Sequence, residues 1–251
     1  MHFHLPKPLH GWREFVGEVA IIVLGVLIAL GAEQVVEWLR WRHQQHETLE
    51  RLFQESRANV ALLGREDELL ASETRQEQQF AAALTHGSCP PADQWPAARD
   101  VVKYPQVAVE TSIYDEVVGA GGLASIDSTK VRTAISDFHS KLAWLQSTTD
   151  FFRSKAERPF DIGDQRVTVS YDPTSEDPEI MRFDRAALCS DKGFRNRVAV
   201  GVRNRVVWAG FHGPVVRSAT ALCEVLGREL GKACTPSEDM QRRIADAQGG
   251  H

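Results

Sequence analysis

The sequence predicts a mainly α chain: one N-terminal transmembrane helix continuing into an antiparallel helical bundle, with a small β-like excursion near residues 160–184. Three observations carry this prediction. Residues 19–32 (VAIIVLGVLIALGA) hold no charged or hydrogen-bonding side chain. Several later stretches repeat apolar residues in steps of three and four, the period of one helix face. Alternation in steps of two occurs at Val167, Val169 and Tyr171, next to a Pro- and Asp-rich run. Of the 251 residues, 43% are hydrophobic and 25% charged, which excludes disorder throughout, a collagen-like repeat and a polytopic membrane protein. With 29 Lys and Arg against 34 Asp and Glu, the net charge of -5 gives no electrostatic reason to expect a nucleic-acid partner.

The apolar run alone is short, since at ~1.5 Å per residue it covers only part of a bilayer core ~30 Å thick. Extended to Phe15 and Val36 it reaches across, with Trp12 at one end and Trp38 and Trp41 at the other, where amphipathic rings favour the headgroup layer. A buried helix of a soluble domain seldom lacks a polar residue over four turns. A cleaved leader would use Lys7 and Arg13 as its basic region and Ala29-Leu30-Gly31 as its cleavage site, but Glu14 and Glu18 are out of place in one. The expectation is a retained anchor contacting membrane lipid through residues 15–36, after a short cytoplasmic tail of residues 1–14. Glu18, near the hydrocarbon edge, must snorkel, take up a proton or find a partner. Gly25 and Ala29 make a small-x-x-x-small face along which a second copy could approach to form a homo-dimer.

Charge does not orient the span, because Lys7 and Arg13 on one side are matched by Arg40 and Arg42 on the other. The cysteines do help. Cys89, Cys189, Cys223 and Cys234 are an even number, and Cys89-Pro90-Pro91 and Cys234-Thr235-Pro236 read as turns where reduced thiols would pack against little. An oxidising compartment follows, with all three pairings open. No C-x-x-C pair occurs, so zinc and thioredoxin-like chemistry lack their usual spacing.

Past the anchor, residues 37–235 are expected to form a helical extracytoplasmic domain. Residues 33–84 read as one long helix, free of Pro and with Gly64 its one glycine, and Leu49, Phe53, Val60, Leu63 and Leu70 line one face. His86-Gly87-Ser88-Cys89-Pro90-Pro91 ends it. A short helix over 111–118 is closed by Gly119-Ala120-Gly121-Gly122 and a turn at 123–126. Asp127 then reads as the N-cap of the clearest helix, whose Val131, Ile135, Phe138, Leu142, Leu145, Thr149 and Phe152 alternate steps of four and three. A helical stretch over 191–234 is interrupted at 210–214, and its second half carries Val215, Ala219, Leu222, Leu226 and Leu230. Residues 236–251 read as a flexible tail. The surplus of acids in 43–84 and of Lys and Arg in 190–251 favours packing of the first helix near the last.

The segment Gly17-Glu18-Val19-Ala20-Ile21-Ile22-Val23-Leu24-Gly25-Val26-Leu27-Ile28-Ala29-Leu30, followed by Glu33, Glu37 and Trp38, resembles the opening of a bacterial family of single-span membrane-anchored proteins of unknown function. Thr111-Ser112-Ile113-Tyr114-Asp115-Glu116 and then Gly121-Gly122-Leu123-Ala124-Ser125-Ile126 are similar to its middle portion. The resemblance implies an inner-membrane anchor carrying a helical periplasmic domain. It implies no activity and no site residue.

Chemistry is sparse in the sequence. Gly119-x-Gly121-x-x-Ala124 has the outline of a dinucleotide fingerprint, but no strand clearly precedes it and His139 stands where an acidic ribose ligand would fall. His43 and His46, with Glu47 and Glu50 beside them, could share a helix face as metal ligands would, yet a solvated polar helix surface is the simpler account of them. His139 and His212 are single histidines in helical patterns, and Asp137, His139 and Ser140 diverge around one helix axis. Arg195, Arg197, Arg203 and Arg205, near Trp208 and Phe211, could bind an anion, although a solvated face pairing with the acidic first helix is the simpler reading. No catalytic, cofactor or metal residue is therefore assigned and no cofactor is expected. The function expected is a membrane-anchored interaction or sensing module of the bacterial envelope with a protein partner there. A membrane-tethered hydrolase with its site near 160–184 is the alternative.

Overall fold

The computed structural model describes residues 12–161, 163–174 and 179–235. Residues 1–11 of the tail expected over 1–14, and the tail expected over 236–251, lie outside them, while residues 12–14 already belong to the first helix. The described chain is mainly helical, with one small antiparallel sheet. The long helix α1 (Trp12–Thr85) leads to a 3-10 turn at Ala92–Gln94, then α2 (Pro96–Asp100), α3 (Ser112–Gly119) and α4 (Thr129–Lys155). The hairpin of β1 (Val167–Tyr171) and β2 (Glu179–Phe183) follows, and α5 (Arg185–Ser190), α6 (Lys192–Ala209) and α7 (His212–Leu230) complete the order. Two compact units divide the chain, Met1–Leu49 and Glu50–His251.

In the first unit, α1 is long and apolar enough to cross a membrane. Every residue from 15 to 44 is exposed, including Ile21 at 73%, Ile22 at 66% and Ile28 at 63%. Gly25 and Ala29 lie one turn apart on this open surface, and a Cβ on Gly25 would meet nothing within 4 Å. The Arg42 guanidinium sits over the Trp38 ring, 5.2 Å from its centroid.

In the second unit, α1 buries Phe53, Leu63, Leu70, Phe80 and Leu84. Of the face read from the sequence, Leu49 and Val60 are only half-buried. Ser56, Asn59, Thr74 and Glu77 sit within the same stripe and are buried as deeply. Two polar residues there clamp the chain that follows α2. Asn59 Nδ2 donates to the Glu110 carbonyl at 2.7 Å and its Oδ1 accepts from Glu110 N at 2.9 Å, while Glu55 Oε2 accepts from Ile113 N at 2.7 Å and so caps α3. The helix stops with Gly87 at a φ of 77° and Ser88 N donating to the Ala83 carbonyl.

Helix α4 buries Val131, Ile135, Phe138, Leu142, Leu145 and Thr149 in the predicted order and packs most extensively on α7. Phe152 is half-buried. Its N-cap is Ser128 rather than Asp127: the Ser128 hydroxyl accepts from Val131 N while also donating to Glu229. Helix α7 buries Val215, Ala219, Leu222, Cys223 and Leu226, with Leu230 half-buried at its end. The break before it is narrower than the sequence suggests, because Pro214 falls in the first turn of α7, where its missing N–H costs no hydrogen bond. Gly227 must be glycine, since a Cβ there would stand 2.5 Å from the Lys232 carbonyl oxygen as the chain folds back over the helix end.

Around α2 a core gathers on Trp95. Its ring packs edge-on to Phe80, stacks against Phe194 and touches Phe183 of the hairpin, and its Nε1 donates to the Pro90 carbonyl. Leu188, Val198 and Phe160 close this cluster. The disulfides are Cys89–Cys189, which ties the end of α1 to α5, and Cys223–Cys234, which ties α7 to the chain beyond it.

Candidate functional site

A groove of about 650 Å³ lies between the hairpin and the ends of α2 and α4, within the second unit. The hairpin makes its apolar wall. Val169 pairs with Met181 and Val167 with Phe183, so Val167, Val169 and Met181 share one face of the two strands. An arginine fixes the hairpin beneath: Arg166 Nη2 meets Asp164 at 2.7 Å and Nη1 meets Asp191 at 2.7 Å, and these contacts hold the Asp164 carboxyl down at about 2. Asp191 in turn caps α6 through Gly193 N, so the strand approach and the helix start share one carboxylate.

The opposite wall is cationic. Arg99 in the last turn of α2, Lys103 just beyond it, Arg153 in the last turn of α4 and Arg158 in the connection after it all line the groove, with Phe160 and Pro159 in its floor. Arg197 of α6 donates to the Pro159 carbonyl at 2.9 Å and so holds that connection in place. Asp100 meets Arg99 at 2.9 Å and Lys103 at 2.7 Å. Arg153 spends its Nε on the Tyr104 carbonyl, and Asp150 stands 3.7 Å from its Nη1, beyond hydrogen-bond reach. Arg158 is exposed and meets no carboxylate among the described residues. Among the described residues of the lining, Glu179 is the one acidic side chain and there is no Ser, Thr, Cys or His. A smaller cavity of about 230 Å³ shares Val102 and Ala156 with the groove and adds Lys155 and Arg197.

A second polar cluster is buried. Arg205 of α6, 1% exposed, donates to Glu73 at 2.6 Å and to the Lys103 carbonyl, stands 3.4 Å from Glu77 and lies over the Trp208 ring. Glu77 is itself buried with both oxygens lacking a hydrogen bond, and burial pushes its carboxyl up to about 7 despite the arginine. Next to this pair Trp208 Nε1 donates to Thr149, and the His212 ring meets Trp208 edge-on. Burial holds His212 down at about 4, so it is neutral at pH 7.

The residues that the sequence singled out are mostly kept apart. Arg195 and Arg197 are half-buried, Arg203 is exposed and Arg205 is buried, because four arginines at these spacings point in four directions around α6. They form no common basic face, and the pairing with the acidic first helix is made by Arg205 through Glu73 and Glu77. Asp137 pairs with Lys141, Ser140 is exposed, and the half-buried His139 stacks on Tyr114 with ring centroids 3.4 Å apart, its pKa lowered to about 4 by burial. The Gly-rich stretch is the stop of α3, with Gly121 and Gly122 at positive φ and a 3-10 turn at Leu123–Ser125. His43, His46 and Glu47 lie exposed on α1, and no group of three or more His, Cys, Asp or Glu set to hold a metal is found among the described residues.

The alternative site expected near 160–184 falls beside the groove, but sequence reasoning missed its cations. The four cations come from two separate stretches, the end of α2 and the end of α4, each an ordinary Arg or Lys, and only folding brings them to one groove. The nearest signal is the hairpin, whose alternation is legible. Comparison of the chain with protein-family models, with curated proteins and with solved structures returns no match.

Proposed function

We propose that this chain is a membrane-anchored binding module of the bacterial envelope. Residues 15–36 cross the inner membrane once, residues 1–14 stay on the cytoplasmic side, and α4, α6, α7 and the later part of α1 form an antiparallel bundle in the periplasm. The observation that carries this reading is the exposure of every side chain from Phe15 to Val36, over a run that a water-soluble protein would hide. Both disulfides support an oxidising compartment for the domain that holds them. The likeness of the anchor to single-span proteins supports the inner membrane as its site. The domain acts by contact with a protein partner of the envelope and with what its groove holds, a reading supported by the cationic and apolar side chains that line the groove among the described residues. The Gly25 and Ala29 face offers room for a second copy in the bilayer.

The test is fractionation of the full chain in bacteria. It is expected to sediment with membranes through a carbonate wash and to enter solution only with detergent. Its four thiols are expected to react with an impermeant alkylating reagent only after reduction. A chain that stays in the supernatant without detergent overturns the anchor, and thiols that are free before reduction overturn the periplasmic placement.

A further inference from the structure

We propose that the groove between the hairpin and the ends of α2 and α4 binds an organic phosphate, with the phosphate on Arg158, Arg153 and Lys103 and an apolar body against Phe160, Val169 and Met181. This deepens the reading of the domain as a binding module, and it assigns the ligand class.

Among the described residues, the lining sets four cationic side chains against Glu179, in a chain whose net charge is negative. A local surplus of positive charge on an acidic protein concentrates anions at that spot. Asp100 offsets part of it beside Arg99 and Lys103. The two guanidiniums on the far side keep donors to give, since Arg153 commits only its Nε, to the Tyr104 carbonyl, and Arg158 has no hydrogen-bond partner among the described residues. A guanidinium presents its N–H groups as a planar fork that fits two oxygens of a phosphate at once. A phosphate monoester, carrying close to two charges at neutral pH, gains from two such forks and an ammonium together, whereas a carboxylate has one charge and two oxygens to offer. Size argues for more than a bare ion. A volume of about 650 Å³ is in the range of sites for small organic ligands, and the hairpin contributes apolar Val167, Val169 and Met181 to the lining beside Glu179. Val169, in the middle of β1, is 42% exposed and lines the groove.

Calorimetric titration of the full chain in phosphatidylcholine nanodiscs with 2-naphthyl phosphate tests this. Saturable binding is expected below about 1 mM, weakening about tenfold or more for inorganic phosphate, 2-naphthol and 2-naphthoate. Arg158→Ala is expected to weaken binding about tenfold, Arg158→Lys less, and Val169→Trp, which fills the groove without touching its charge, at least as much as Arg158→Ala. Arg158 and Val169 are exposed, so these variants are expected to keep the wild-type circular dichroism spectrum. No saturation, equal binding of 2-naphthoate, or binding untouched by Arg158→Ala and Val169→Trp overturns the proposal. In discs doped with phosphatidic acid, loss of 2-naphthyl phosphate binding assigns the phosphate to a lipid headgroup, and unchanged binding assigns it to a soluble ester. The two proposals fail separately: a chain that sediments with membranes but gives no heat loses only the ligand, and a soluble chain that binds 2-naphthyl phosphate loses only the anchor.

Discussion

Glu77 and His212 are buried to 1% and 3% exposure, and burial favours the neutral form of each. The consequences for stability run in opposite directions with pH. The Glu77 carboxyl is raised from 4.5 to about 7 by burial, with Arg205 acting against that and Glu73 and Asp100 adding to it. Its folded pKa exceeds its unfolded one, so its favourable contribution is complete at low pH and is lost as pH rises from 4.5 through about 7, a change of about 3 kcal/mol. His212 is lowered from 6.5 to about 4, so its contribution is complete above 6.5 and lost as pH falls through about 4, again about 3 kcal/mol. Between 4.5 and 6.5 the two slopes oppose one another. Glu77→Gln is expected to make the urea midpoint of the full chain in detergent rise more steeply with pH over that window, and His212→Phe to make it fall relative to wild type. Parallel profiles for all three would refute the assignment. Glu77 reads in the sequence as one more charge on a polar helix. It is buried because Arg205 arrives from α6, far along the chain, and no local pattern announces that meeting.

At the scale of elements, legibility follows how apolar each buried stripe is. In α4 six of the seven residues read from the period of three and four are buried, since five of the six are hydrocarbon or aromatic. In α1 the stripe continues beyond Leu63 through Leu70, Thr74, Glu77 and Leu84, and its polar members hide it from a reading based on apolar periodicity. Helix α6 is harder still, with Gly201 and Arg205 among its buried residues; a Cβ on Gly201 would come 2.9 Å from Val101 Cγ2, so the helix seats itself against the end of α2 by having no side chain there. The even cysteine count is legible, but the pairing depends on where α5 docks. Cys89–Cys189 closes a span of 100 residues and Cys223–Cys234 one of 11. On loop-closure entropy the first contributes about 4 to 5 kcal/mol and the second about 3 kcal/mol. Replacing Cys89 and Cys189 by Ser is therefore expected to lower the urea midpoint more than replacing Cys223 and Cys234, with the reduced wild type lower than either. The reverse order would indicate that the α5 region retains its place without the link.

For the molecule as a whole the deciding quantity is the apolar surface of the first unit. Leu24 and Leu27 are 59% and 60% exposed. Placing two arginines there costs a bilayer-spanning helix about 5 to 7 kcal/mol. The double variant Leu24→Arg with Leu27→Arg is expected to lose most of its carbonate-resistant membrane fraction, while Val207→Arg, at an exposed position of α6, leaves that fraction unchanged. If the double variant stays membrane-bound, the anchoring role of residues 15–36 is wrong. The anchor candidate, the helix periods, the hairpin and the even cysteine count were determined by the sequence alone, because each depends on neighbours within a few residues: hydrocarbon side chains in a row, a repeat of three and four, an alternation of two. The cystine partners, the burial of Glu77 against Arg205 and the cationic groove were decided only by the tertiary structure. Each joins side chains that are remote along the chain, and whether a charge is solvated or buried depends on what packs over it, which its sequence neighbours do not encode.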